Sequence, residues 1–173
     1  MMKNVKMILA IAVAAFVFSG AGTQALAQGK RDDKGNSKKD ERKLDKEAKK
    51  LAKTSEKAGK GLGRDVVFCV LAAHTTIDGF DTAQQLKAKF ESLTDFPFGQ
   101  FVAAVLLVDR LDNAGFGLNE VIAKLVAGMS IGEITKEAGV NMGEVRSGFG
   151  EFRSELARSM TNPPTKDCFQ TAP

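Results

Sequence analysis

Tyrosine and tryptophan are missing from this 173-residue chain, and histidine occurs once. Without the two broad amphipathic aromatics there is no stacking platform of the kind sugar clefts use, and phenylalanine alone supplies rings. A lone histidine, His74, cannot build a zinc site, which needs several His, Cys or carboxylate ligands converging on one point. Cysteine occurs twice, at Cys69 and Cys168. Long apolar runs are also scarce. Met7 to Phe18 is one, and it is shorter than the roughly 20 residues a membrane span requires. Phe101 to Val108 is another, closed by Asp109 and Arg110, and it reads as a buried core helix.

The first residues carry the most specific pattern. Lys3 and Lys6 precede the apolar run, Ser19-Gly20 interrupts it, and Ala25-Leu26-Ala27 follows with small residues where a signal peptidase reads. This is the three-part layout of a secretory signal peptide, residues 1–27, with a mature start expected at Gln28. No cysteine lies beside the cleavage point, which argues against a lipid anchor. After cleavage no membrane span is expected, and the location implied is periplasmic or secreted. In an oxidising compartment the isolated pair Cys69 and Cys168 is most simply one disulfide. A loop that long, closed in this way, adds roughly 4–5 kcal/mol of stability in the chain-entropy treatment.

Charge divides the remainder into two parts. Residues 30–64 hold 14 Lys and Arg against 7 Asp and Glu, whereas residues 65–173 hold 9 against 14. The high isoelectric point therefore belongs to the N-terminal part, which suggests a basic tail or linker over 28–64 before a mildly acidic domain over 65–173. Within the tail, Leu44, Ala48, Leu51, Ser55, Ala58 and Leu62 recur at alternating spacings of 4 and 3. That is a helical seam, weak because half its members are small. Arg42, Lys46, Lys49, Lys53, Lys57 and Lys60 recur on the opposite face. They are the candidate contacts for an anionic polymer or lipid head groups, with a solvated spacer as the alternative. Gly59, Gly61 and Gly63 suggest a hinge.

The domain is expected to be an all-α bundle of about five to six helices. Val66-Val67-Phe68-Cys69-Val70 suits strand or helix by period, and the lack of a partner strand favours a short helix. Helices are expected over Asp81–Leu93, from Pro97 to about Asp112, along Leu118, Val121, Ile122, Leu125 and Met129, and after two caps. Those caps are Ser130 with Glu133 and Asn141 with Glu144. The last helix turns Met142, Val145, Phe149, Phe152, Leu156 and Met160 inward and stops at Asn162-Pro163-Pro164. Phe98-Gly99-Gln100-Phe101 is echoed by Ile131-Gly132-Glu133-Ile134, each preceded by an Ala-Lys-apolar helix. A duplicated helix pair and mere recurrence of amphipathic pattern both account for the echo.

Few constellations carry chemistry. Ile134, Ala138, Gly139, Val140, Asn141 and Val145, within Ser130 to Phe152, resemble the helix-turn-helix of bacterial DNA-binding proteins. The resemblance implies recognition by the helix after Gly139. It departs at Thr135, where a small alanine is usual, and the recognition positions Gly143, Glu144, Arg146, Ser147 and Gly148 lack the cations phosphate binding needs. His74 and Cys69, five residues apart, would point about 140° apart on a helix, and a disulfide would consume the thiol. Asp78, Asp81, Asp109 and Asp112 read as turn and helix-end residues. Gly-x-Gly at 59–63 and 148–150 follows no strand, so no nucleotide site is supported.

The sequence thus points to an exported, non-enzymatic interaction protein without a cofactor or metal. Its domain would bind a protein partner or itself, with Phe96, Phe98 and Phe101 as patch or core, and its tail would meet anionic surfaces. A helix-turn-helix DNA binder and an enzyme with an unrecognised site are the alternatives, and nucleic acid is the least supported partner. Protein recovered from the periplasm of an expressing bacterium without reductant should have an intact mass starting at Gln28 and two protons below the dithiol. A full-length, reduced chain would refute both export and the bridge.

Overall fold

The computed structural model describes residues 34–111, 114–162 and Cys168. The signal peptide, the first six tail residues and Asp112 lie outside the described residues. Among the described residues there are seven helices and no strand: α1 (Lys34–Gly61), α2 (Arg64–His74), α3 (Ala83–Glu91), α4 (Phe98–Leu111), α5 (Leu118–Val126), α6 (Ile131–Glu137) and α7 (Met142–Thr161). The six from α2 onward are those expected of an all-α domain.

Local chemistry sets their ends. Thr82 and Gln85 form a reciprocal capping box at α3, so that helix starts two residues after Asp81. Ser130 and Glu133 do the same for α6, as their spacing predicts. Asn141 caps α7 through the Gly143 N–H at 2.8 Å, and its expected box with Glu144 is replaced by this shorter link. Gly139 has φ 70°, the left-handed turn that admits α7 at once after α6.

The largest departure from the sequence reading is α1. The segment 28–64 was expected to precede the domain, yet α1 belongs to the same unit as the other helices. Leu44, Leu51, Ser55 and Ala58 are 0% exposed and Ala48 is 8% exposed. The weak seam is therefore core, packed chiefly on α7, α4 and α6. The expected hinge is also shorter than three glycines. Gly59 and Gly61 stay helical, and the chain turns at Gly63, whose φ of 91° suits glycine alone.

Small residues matter here because backbones meet. A methyl group on Gly99, the second residue of α4, would overlap the Ala52 carbonyl and lie 2.8 Å from the Ala52 Cα. One on Gly132, the second residue of α6, would lie 3.0 Å from the Glu41 carbonyl oxygen. The two Gly-containing echoes thus share one role, seating a helix start against α1.

Around that seat the core closes. α4 is buried on every side from Phe101 to Val108, as a central helix must be. Phe68 packs edge-on to Phe98 and Phe101, with Phe90 beside them. Phe98 and Phe101 are therefore core and Phe96 is half-buried, so no exposed aromatic patch forms there. α7 buries Val145, Phe149, Phe152 and Leu156. Cys69 and Cys168 are paired at disulfide distance, with Cα atoms 5.8 Å apart across 99 residues.

Gly99→Ala should lower the free energy of unfolding in denaturant by about 3 kcal/mol, since the obstacle is backbone. Gly61→Ala, with open space around it, should leave stability unchanged or raise it by up to about 1 kcal/mol. Equal losses at both positions would remove the close approach as the cause.

Candidate functional site

Four carboxylates on α1 turn inward and tie it to its neighbours. Glu56 accepts the Gly99 N–H at 2.9 Å and Asp45 accepts the Gly132 N–H at 2.8 Å. Each meets the positive end of a helix whose first N–H groups have no intrahelical partner. Glu41 pairs with Lys136 of α6 at 2.6 Å, and Glu47 with Arg153 of α7 at 2.8 Å. The Lys136 ammonium draws the Glu41 carboxyl below the usual range against a smaller opposing cost of burial. Lys50, followed by Arg153, does the same for Glu47. These acids, which in sequence dilute the cationic stripe and favour a solvated spacer, are the docking contacts of the helix.

The cations face the other way. All six stripe residues are exposed. Lys49, Lys53, Lys57 and Lys60 line a groove of about 780 Å³ between α1 and the starts of α4 and α6, whereas Arg42 and Lys46 lie outside it. Ala48, Ala52, Ala103, Leu125, Ile131 and Pro97 supply the apolar lining. Such a volume lies within the roughly 300–1,000 Å³ typical of ligand sites. None of the four lysines has an ion-pair partner among the described residues, although Lys43, Lys50, Lys124 and Lys136 do. The two carboxylates of the groove, Asp45 and Glu56, are engaged by backbone N–H groups. The result is an apolar furrow with a cationic wall.

Sequence reasoning found that wall and missed the rest of the groove. Gln100, Ser130 and the alanines carry no chemical signature. A signal was present in the repeated Gly at the second position of two helices, a mark of close backbone approach.

The other candidates are placed elsewhere. His74 meets a carboxylate, Glu155 of α7, with Nδ1 2.8 Å from Oε2, and its ring lies edge-on to Phe152. Its Nε2 is buried with no hydrogen-bond partner among the described residues. Neither residue lines the groove, and Cys69 is held by Cys168, so no Cys–His pair forms. Asp109 accepts the Thr76 N–H at 2.9 Å and fastens the loop after α2. Among the described residues no group of His, Cys, Asp and Glu could hold a metal ion, and no helix is long and apolar enough to cross a membrane.

α6 and α7 do form two helices around a glycine turn. Thr135, the departure from the helix-turn-helix pattern, is buried with its hydroxyl donating to the Ile131 carbonyl. The outer side of α7 presents Glu144, Ser147, Glu151, Ser154 and Arg158, with Arg146 half-buried, and Arg153 is taken by Glu47. One exposed arginine beside two exposed acids is a sparse cationic footprint for phosphate. No known protein family, curated protein or solved structure matches this chain.

The carboxylate contacts make α1 docking acid-sensitive. Glu41 and Glu47 have folded-state values below their ordinary 4.5, so their contribution is present above about pH 4.5 and is lost as pH falls through the lower values. Stability measured in urea should therefore drop as pH falls below about 4.5, and drop less in the Glu41→Gln/Glu47→Gln variant. An identical acid profile in the variant would show that other carboxylates set it.

Proposed function

We propose that this chain is an exported, non-catalytic binding protein that holds an anionic, partly apolar partner in the groove between α1, α4 and α6. The observation carrying this reading is the row of four lysines, without ion-pair partners among the described residues, beside an apolar floor. A solvated spacer would scatter its cations over all faces. Here four of them share one wall, and the two acids of the groove each accept a backbone N–H at a helix start. The layout of the first 27 residues and the cysteine pair support a periplasmic or secreted location. The sequence-based picture of a domain with a separate basic tail becomes a single site, because the basic helix is one wall of the domain.

Opposite charge and apolar contact should act together. Titration of the mature protein with anilinonaphthalene sulfonate, an anionic apolar dye, should show saturable fluorescence that weakens with added salt. Lys53→Glu/Lys57→Glu should weaken binding about tenfold. The circular dichroism spectrum should not change, because both lysines are exposed and make no ion pair among the described residues. Unchanged affinity in this variant would overturn the groove as the site.

A further inference from the structure

The distribution of charge along the groove identifies its occupant more closely. We infer that the groove receives an acidic amphipathic helix of a partner protein, lying along α1. This rests on the reading of the groove as a binding site and adds the class of ligand.

Lys49, Lys53, Lys57 and Lys60 follow one another at spacings of 4, 4 and 3 on a single face of α1. At 1.5 Å per residue the row is about 16 Å long. A fatty acid, a detergent or a phospholipid carries its anionic group at one end. Such a ligand calls for cations gathered at one mouth of the groove and a long uncharged wall beyond. The wall here is charged along its length.

A helix with Asp or Glu every three to four residues presents the matching pattern, one carboxylate per turn against one ammonium per turn. The floor fits the same occupant. Ala48 and Ala52 are one turn apart on α1, and Ala103 faces them from α4. Small residues at that spacing leave holes that leucine or isoleucine side chains of an incoming helix fill, as in other helix-in-groove complexes. The two acids of the groove, Asp45 and Glu56, accept the Gly132 and Gly99 N–H groups and, among the described residues, pair with none of the four lysines.

The test uses a synthetic peptide of about 18 residues with a leucine stripe flanked by glutamates at i and i+4. Its controls are a scrambled peptide of equal composition, phosphatidylglycerol vesicles and dodecyl sulfate. Fluorescence anisotropy of the labelled peptide should show binding at least about tenfold tighter than the scrambled form. Lys53→Glu/Lys57→Glu should reduce it about tenfold, and a peptide with lysines at the facing positions should restore it.

Vesicles or dodecyl sulfate binding in a Lys53- and Lys57-dependent manner, with no preference for the ordered peptide, would make the ligand a lipid. That result overturns this inference and leaves the groove as a binding site. A dimer that forms without peptide and is dissolved by the charge reversal would put a second copy in the groove and overturn it as well. Failure of dye, peptide and vesicles alike would remove both readings.

Discussion

Everything in this fold depends on how closely α1 passes the starts of α4 and α6. At two places its backbone lies where a side chain would stand, and glycine is the residue that lets it pass. At the same places a carboxylate of α1 accepts the N–H of that glycine. Steric permission and hydrogen bonding thus coincide in Gly99 with Glu56 and in Gly132 with Asp45. A carboxylate beside a helix start is favoured by the dipole as well as by the unpaired N–H. Two such contacts, three turns of α1 apart, fix the helix in both position and register.

That arrangement sorts the charges of α1. Acids are drawn to the inner side by helix starts, Lys136 and Arg153, while the lysines are left on the outer side. A segment that mixes both signs in sequence becomes a helix with a polar, engaged inner edge and a cationic outer wall. The groove follows from the same geometry. Because α1 is held close at the second residues of α4 and α6, the alanines between those contacts leave a furrow. The lysine row borders it.

The elements themselves were largely legible. Ser130 with Glu133, the Gly139 turn, and the inward faces of α4 and α7 are local properties of the backbone and of helical period, and they recur in the structure. The seam Leu44, Ala48, Leu51, Ser55, Ala58 was legible as a helix face as well. Its importance was not, because small side chains lower the apparent apolarity of a segment whether it is solvated or in close contact. Glu41, Asp45, Glu47 and Glu56 were read as diluting a cationic stripe, and in the fold they are what anchors it. Phe98 and Phe101 show the converse. Their size suits either a patch or a core, and the edge-on packing with Phe68 and Phe90 made them core.

By itself the sequence determined that the chain is helical, where most helices begin and end, which cysteines could pair, and which face of residues 42–60 is cationic. Those properties depend on residues within a few turns of one another. The tertiary structure alone decided that the basic segment is part of the domain and that its lysines border a groove. The decisive partners are 43 and 87 residues away, at Gly99 and Gly132. Whether a small-residue seam is buried depends on another backbone coming near enough, and periodicity within the seam holds no record of that distance.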